Sequence, residues 1–128
     1  MNAPEQTRVA VVDDDASVCR ALSRLLRAEG MLAVTYPCAA AFLADPAGAG
    51  FDCLVLDIQL GGMSGIELHR QLKAKGRVPP VIYVTAHDEA GTREEAKAAG
   101  CVAYFSKTDP GEALLQAIRR AANTEPRS

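Results

Sequence analysis

Several features are missing from this 128-residue chain, and each absence argues against a class of protein. No apolar run approaches the roughly 20 residues of a membrane-spanning helix, and the N-terminus lacks a secretion-signal pattern. The net charge of −2 supplies no bulk attraction for nucleic acid or an anionic membrane. The four cysteines (Cys19, Cys38, Cys53 and Cys101) form no CxxC pair, which disfavours a metal site or a disulfide framework. We therefore expect a cytoplasmic protein with reduced thiols, which contacts neither nucleic acid nor membrane through this domain.

The composition predicts one folded domain. Apolar residues make up 48% of the chain and charged residues 23%, which is a globular rather than a disordered balance. A chain of this length can build one core but not two. We assign residues 1–7 to a disordered N-terminal tail, residues 8–122 to the domain, and residues 123–128 to a C-terminal tail or the start of a linker.

Short apolar runs alternate with amphipathic segments five times along the chain. The runs predict strands, and the segments between and after them show the spacing of helices with one apolar face. This alternation predicts an α/β fold with a parallel sheet, helices on both faces and right-handed crossovers. The predicted strands are residues 8–12, 31–35, 53–56, 81–84 and 102–105.

Local signals also mark the ends of several predicted helices. Gly30 stands where the first helix would end, and an alanine-rich helix is predicted over residues 37–44. Ser64 and Glu67 have the spacing of a capping box, and Asp109 is the predicted N-cap of the last helix.

Polar side chains follow four of the predicted strands. Asp13 and Asp14 come after the first strand, Asp57 after the third, Thr85 closes the fourth, and Lys107 follows the fifth. Because the carboxyl ends of parallel strands share one edge of the sheet, we expect these groups to meet there. Asp57 taken alone could equally be an ordinary loop or capping aspartate, so the coincidence of the four positions carries the argument.

The expected cluster has the groups that phosphoryl transfer needs. Three crowded carboxylates repel one another unless a cation neutralises them, and oxygen ligands suit Mg²⁺, with Mn²⁺ also possible. A metal, the Lys107 ammonium and the Thr85 hydroxyl could together bind the oxygens of a phosphoryl group. Asp57 could then act as the nucleophile and become an acyl phosphate.

Four motifs carry a resemblance to a known family. The sequence from Arg8 to Ala122 resembles the receiver domain of two-component response regulators, the CheY-like family, and within it the FixJ-like branch. The resemblance implies a flavodoxin-like (βα)5 fold whose parallel sheet has the order 2-1-3-4-5. The matching segments are VVDDD (11–15), LVLDIQLGGMSG (54–65), VIYVTA (81–86) and AYFSK (103–107).

The resemblance also implies roles at the site. Asp57 would accept the phosphoryl group, and Lys107 would hold one of its oxygens. Mg²⁺ would be bound directly by Asp14 and Asp57, through water by Asp13, and by the backbone carbonyl of Gln59. Thr85 and Tyr104 would form the switch pair, and Gln59 and His87 would flank the hydrolytic water and set the lifetime of the acyl phosphate.

The implied function is a signalling switch rather than an enzyme, although the domain would assist its own phosphorylation and dephosphorylation. The donor would be a sensor histidine kinase or a histidine phosphotransfer protein. An output partner or a second copy would bind the last two helices and the last strand. Two alternatives remain: a phosphatase of the haloacid dehalogenase type, and an unphosphorylated receiver that only binds partners. The phosphatase would need a second aspartate where this chain has Gln59. An unphosphorylated receiver is disfavoured because all five groups of the expected cluster are present, namely Asp13, Asp14, Asp57, Thr85 and Lys107.

Some positions depart from the family pattern or have more than one interpretation. The family usually has proline at Gly61 and after Lys107, where this chain has Thr108. A cis peptide before a residue other than proline costs roughly 2.5–4 kcal/mol, so we predict a trans Lys107–Thr108 bond, with Lys107 still reaching Asp57. We assign Asp15 to the cap of the first helix rather than to a metal, and His69 to a partly solvated surface.

Overall fold

The computed structural model describes residues 6–45, 50–76, 78–86 and 90–123. Within these ranges strands and helices alternate, as the sequence predicts. No helix among them is both long and apolar enough to cross a membrane. The elements are β1 (Arg8–Val12), α1 (Ala16–Ala28), β2 (Leu32–Tyr36), α2 (Ala39–Ala44), β3 (Cys53–Leu56), α3 (Gly65–Ala74), β4 (Val81–Thr85), α4 (Ala90–Ala99), β5 (Ala103–Ser106) and α5 (Gly111–Asn123).

The five strands form one parallel sheet in the order β2-β1-β3-β4-β5, which confirms the expected fold. β3 lies at the centre, and all four of its residues are buried. β2 starts one residue later than predicted because the Met31 amide donates to the Leu26 carbonyl and so closes the end of α1. α2 starts at Ala39 rather than Pro37, because Cys38 occupies the N-cap and its Sγ accepts from the Ala41 amide.

The core has two layers, one on each face of the sheet. Leu54 and Leu56 of β3 pack with α2, α3 and α4, while the alternate residues Cys53 and Val55 pack with α1 and α5. An ion pair between Arg119 of α5 and Glu29 at the end of α1 spans the second face. Burial on both faces explains why the central strands are continuous apolar runs without alternation.

Helix caps agree with the sequence at two sites and differ at a third. The Asp15 carboxylate accepts from the amides of Ser17 (2.9 Å) and Val18 (3.4 Å), which confirms it as the N-cap of α1. The predicted capping box of Ser64 and Glu67 is present at α3. Asp109 does not cap α5 as predicted. The helix begins at Gly111, and the Asp109 carboxylate accepts from the Ser106 amide at 2.9 Å.

His69 is a correction to the sequence analysis. It was expected at a partly solvated surface, but its side chain is only 2% exposed. Its Nδ1 lies 2.8 Å from the hydroxyl of Tyr83, a fully buried residue of β4. His69 is three residues from both Ile66 and Leu72, so helical periodicity places it on the apolar face of α3.

A close backbone contact joins β3 to α3 beside the strand end that carries Asp57. The Gly65 amide donates to the Ile58 carbonyl at 2.8 Å, and a Cβ at Gly65 would lie 2.2 Å from the Asp57 carbonyl oxygen. Glycine is therefore required at Gly65 for close approach, whereas Gly61 is the loop glycine with a positive φ, at +76°.

We expect Gly65→Ala to destabilise the protein by about 1–3 kcal/mol, because the added methyl group overlaps the backbone that carries Asp57. The measurement is urea unfolding followed by circular dichroism. Gly62→Ala is the matched control, since a Cβ there meets no atom within 4 Å. It should change the free energy of unfolding by less than about 0.5 kcal/mol. Equal stability of the two variants would contradict the contact.

Burial, and then the charge of Lys73, lower the pKa of His69 below its usual value of 6.5. The unfolded chain therefore binds more protons than the native state below pH 6.5, and the stability contributed by neutral His69 is lost as pH falls. We expect His69→Gln to flatten the dependence of the unfolding free energy on pH as the pH falls below 6.5. A slope identical to that of the wild type in urea titrations would show that His69 does not carry this effect.

Candidate functional site

Three carboxylates meet at the carboxyl edge of the sheet. One oxygen from each of Asp13, Asp14 and Asp57 lies within 4.8 Å of the others. Asp13 and Asp57 are 3% and 5% exposed, while Asp14 faces solvent. The main chain positions the two buried carboxylates, because the Asp57 amide donates to Val12 and the Asp13 amide to Tyr36. These oxygen donors fit a hard divalent cation, with the exposed Asp14 on the solvent side.

Lys107 reaches into the same cluster from the end of β5. Its Nζ lies 3.0 Å from Asp13 Oδ2 and 3.2 Å from Asp57 Oδ2, so the expected contact with Asp57 is present and a second one joins it. The Lys107 amide also donates to the Thr85 carbonyl at 2.9 Å, which ties the ends of β5 and β4 together. The described residues contain no cis peptide, and the predicted trans Lys107–Thr108 bond is confirmed.

Burial and like charge set the electrostatics of the cluster. Desolvation raises the pKa of Asp57, the neighbouring Asp13 raises it further, and Lys107 opposes both. Burial alone lowers the pKa of Lys107, but its hydrogen bond to Asp13 and the charges of both carboxylates outweigh burial and raise that pKa overall. Lys107 therefore stays an ammonium ion at neutral pH. One cation against three carboxylates leaves the site with excess negative charge, which favours a divalent ion.

The two expected switch residues lie on neighbouring strands, on the side of the site toward α4. Thr85 is 1% exposed at the end of β4. Tyr104 pairs with Tyr83 across the β4–β5 ladder, and their ring centroids are 6.5 Å apart. The guanidinium carbon of Arg93 in α4 lies 5.1 Å from the centroid of the Tyr104 ring. Tyr104 is thus half-buried between the sheet and α4.

The loop after Asp57 supplies a backbone contact rather than a side-chain contact. Gln59 is exposed, and its amide donates to Asp57 Oδ1 at 3.3 Å. Gly61 has a φ of +76°, which proline cannot adopt because its ring holds φ near −65°. This loop therefore differs from one with proline at that position. His87, the other expected lifetime residue, lies outside the described residues.

A groove beside the carboxylates was missed by the sequence analysis. It has a volume of about 420 Å³ and runs from Asp13 and Asp14 along α1 to the β2–α2 loop. The arginines at 20, 24 and 27 line it. Their spacing of four and three residues placed them on one helical face, but the sequence did not show that this face borders the site.

Comparison with known proteins agrees with this geometry. The model of the response regulator receiver domain family matches residues 9–119. The chain is 36% identical over 118 residues to the response regulator protein TodT of Pseudomonas putida F1, covering 92% of this chain and 52% of TodT. It is 36% identical over 118 residues to the transcriptional regulatory protein FixJ of Azorhizobium caulinodans, covering 91% of this chain and 55% of FixJ.

The solved structure of FixJ-N superposes with a TM-score of 0.87 at 30% identity, covering 98% of this chain and 100% of that one. The chain spans about half the length of the curated relatives it matches. Members of the family are in general phosphorylated on an aspartate and interact with histidine kinases and output domains. The family match, the strand order and these relatives show that the chain belongs to the response regulator receiver domain family of two-component systems.

Proposed function

We propose that Asp57 is the phosphoacceptor of this receiver. The observation that carries the proposal is its carboxylate, buried at the end of the central strand, in contact with Lys107 and within ligand distance of two further carboxylates. A carboxylate oxygen of Asp57 attacks the phosphorus of a phosphohistidine donor. The bond between phosphorus and the imidazole nitrogen breaks, the imidazole leaves with the electron pair, and an acyl phosphate forms.

The donor set fits a magnesium ion, with manganese as a substitute. In our proposal Asp14 and Asp57 would hold the ion directly, Asp13 would hold it through water, and the Gln59 carbonyl would be a further protein ligand. A bound divalent ion supplies positive charge that offsets the repulsion between the carboxylates and an anionic donor. The domain would thereby assist the phosphorylation of its own Asp57, and it would not turn over a separate substrate.

Lys107 and Thr85 would act on the phosphoryl group from the other side. The Lys107 ammonium already contacts the nucleophile, so it can hold an oxygen of the incoming group without a large rearrangement. Thr85 would turn its hydroxyl toward that group, and Tyr104 would then rotate into the space beside Thr85. The position of α4 would then change, because within residues 91–99 this helix buries only Ala96 and Ala99 and is weakly packed.

Two surfaces suit the partners of such a switch. We propose that the phosphodonor protein docks along the arginine-lined groove of α1, next to Asp57, and that the donor is a sensor histidine kinase or a phosphotransfer protein. The output partner or a second copy would cover the β5–α5 face, where Val102 is 56% exposed beside a shallow groove lined by Phe105, Ala113 and Ala117. The four free thiols agree with a cytoplasmic location, which cell fractionation would test.

Incubation with acetyl phosphate should add one phosphoryl group to the protein, detected by intact-mass spectrometry. The gain should require Mg²⁺ or Mn²⁺ and disappear with a chelator, because the uncompensated carboxylates repel the donor. Asp57→Asn should gain no mass. Asp52→Asn is the matched control and should be labelled normally, since Asp52 lies at the opposite edge of the sheet, where it accepts from the Arg8 amide.

Labelling of Asp57→Asn to the wild-type level would contradict the assignment. No labelling of the wild type under any of these conditions would favour a receiver that only binds partners. The loss of label after donor removal gives the lifetime of the acyl phosphate. We propose that Gln59 and His87 set this lifetime, and an unchanged decay in the Gln59→Ala/His87→Ala variant would end that proposal.

The groove proposal predicts a selective defect. Arg20→Gln/Arg24→Gln should slow phosphotransfer from an autophosphorylated sensor kinase by about tenfold at low salt, because the charge that attracts an acidic docking surface is removed. Labelling by acetyl phosphate should be unchanged. Arg70→Gln/Lys75→Gln, which also removes two exposed positive charges, from α3 and its C-cap, serves as the charge-matched control. Equal slowing with both donors would place the defect in the site rather than in docking.

A further inference from the structure

α4 buries little apolar side chain against the rest of the domain. Its described side chains between residues 91 and 99 bury only two alanines, at positions 96 and 99, both in the second half of the helix. Burying a methyl group contributes far less than burying a leucine or a valine, so apolar packing holds this helix weakly. Two long cationic side chains make further contacts at this helix: Lys73 of α3 contacts its C-terminal end, and Arg93 of α4 contacts the sheet.

The C-terminal end of α4 is fixed to α3. Lys73 Nζ donates to the Ala99 carbonyl at 2.9 Å, and the Cys101 amide closes the helix end on the Ala96 carbonyl. An ammonium ion at the last carbonyls also interacts favourably with the helix dipole. Lys73 makes this contact away from the carboxylate cluster, on the far end of the helix from Thr85.

The N-terminal half of α4 (residues 91–95) contacts the sheet through Arg93. Its guanidinium carbon lies 5.1 Å from the Tyr104 ring centroid, within the distance of a cation–π interaction. The same ring also neighbours Tyr83, whose ring is inclined to it by 55° and which the hydrogen bond to His69 orients. Tyr104 therefore contacts both a buried tyrosine held by a hydrogen bond and a cation carried by the weakly packed half of a helix.

We propose that Arg93 is a positioning residue that couples the ring of Tyr104 to the N-terminal half of α4, with Lys73 as the pivot at the other end. When Tyr104 rotates, Arg93 loses its contact with the aromatic ring and the N-terminal half of α4 is held less firmly. The C-terminal end stays on α3, so α4 swings about that end rather than moving as a whole. The proposal rests on the proposed switch at Thr85 and Tyr104, but its first test does not require phosphorylation.

Hydrogen exchange on the unmodified protein, read by mass spectrometry, tests the coupling. Arg93→Gln should speed exchange in residues 91–95 by roughly two- to fivefold, the range for an exposed cation–π contact, and leave the C-terminal half unchanged. Lys73→Gln should give the opposite pattern. Arg93→Lys, which keeps a cation, and Tyr104→Phe, which keeps the ring, should each retain most of the wild-type protection. Equal acceleration of both halves by Arg93→Gln, or none, would overturn the proposal.

A double-mutant cycle separates the specific contact from general destabilisation. If Arg93 acts through the ring, Arg93→Gln/Tyr104→Leu should exchange in residues 91–95 no faster than Tyr104→Leu alone. Additive acceleration would show that the two residues act independently and would overturn the coupling.

Beryllofluoride with Mg²⁺, a mimic of the phosphoryl group, tests the link to the switch. Its binding is followed separately by ¹⁹F NMR, so absence of binding would count against the proposed phosphorylation site and not against Arg93. Where it binds, it should speed exchange in residues 91–95 of the wild type and add nothing in Arg93→Gln. Further acceleration in Arg93→Gln equal to that in the wild type would contradict the coupling.

Discussion

Repulsion between buried carboxylates is the constraint on which the rest of this structure depends. Asp13 and Asp57 are almost fully removed from water and lie close together, a placement that raises the pKa of Asp57. Lys107 offsets part of this cost by contacting both groups, and it can do so because β5 ends at the same edge of the sheet. The sheet order thus brings into one cluster groups that stand up to 94 residues apart in sequence. The excess negative charge at the site favours a cation there.

The two faces of the sheet contribute differently to this arrangement. α1 and α5 bury leucines and isoleucine against one face, and their ends are joined by the pair of Arg119 and Glu29. On the other face α3 packs Ile66 and Leu68 into the core and approaches β3 closely at Gly65, whereas α4 buries little. A rigid site beside a weakly packed helix is the combination that a switch requires, because small shifts at the site can then change one surface without disturbing the core.

Much of the fold could be predicted because its elements carry strong local signals. Apolar runs located the strands, and Asp15, Ser64 and Gly30 marked helix ends that the structure contains. Where several contacts compete, the local signals were insufficient. Asp109 looked like a helix cap, but its carboxylate accepts from Ser106. His69 looked like a surface residue because it is polar, although its position on α3 already placed it toward Tyr83.

The sequence by itself determined the alternation of strands and helices and the polar residues that end each strand, because both follow from periodicity and from chain order. It also determined the trans Lys107–Thr108 bond, since a residue other than proline disfavours cis strongly. Only the tertiary structure decided that Lys107 bridges Asp13 as well as Asp57, that Gly65 is needed for close approach, and that Arg93 lies over Tyr104. These contacts join elements far apart in sequence, and their distances depend on how helices pack on the sheet, which no local pattern encodes.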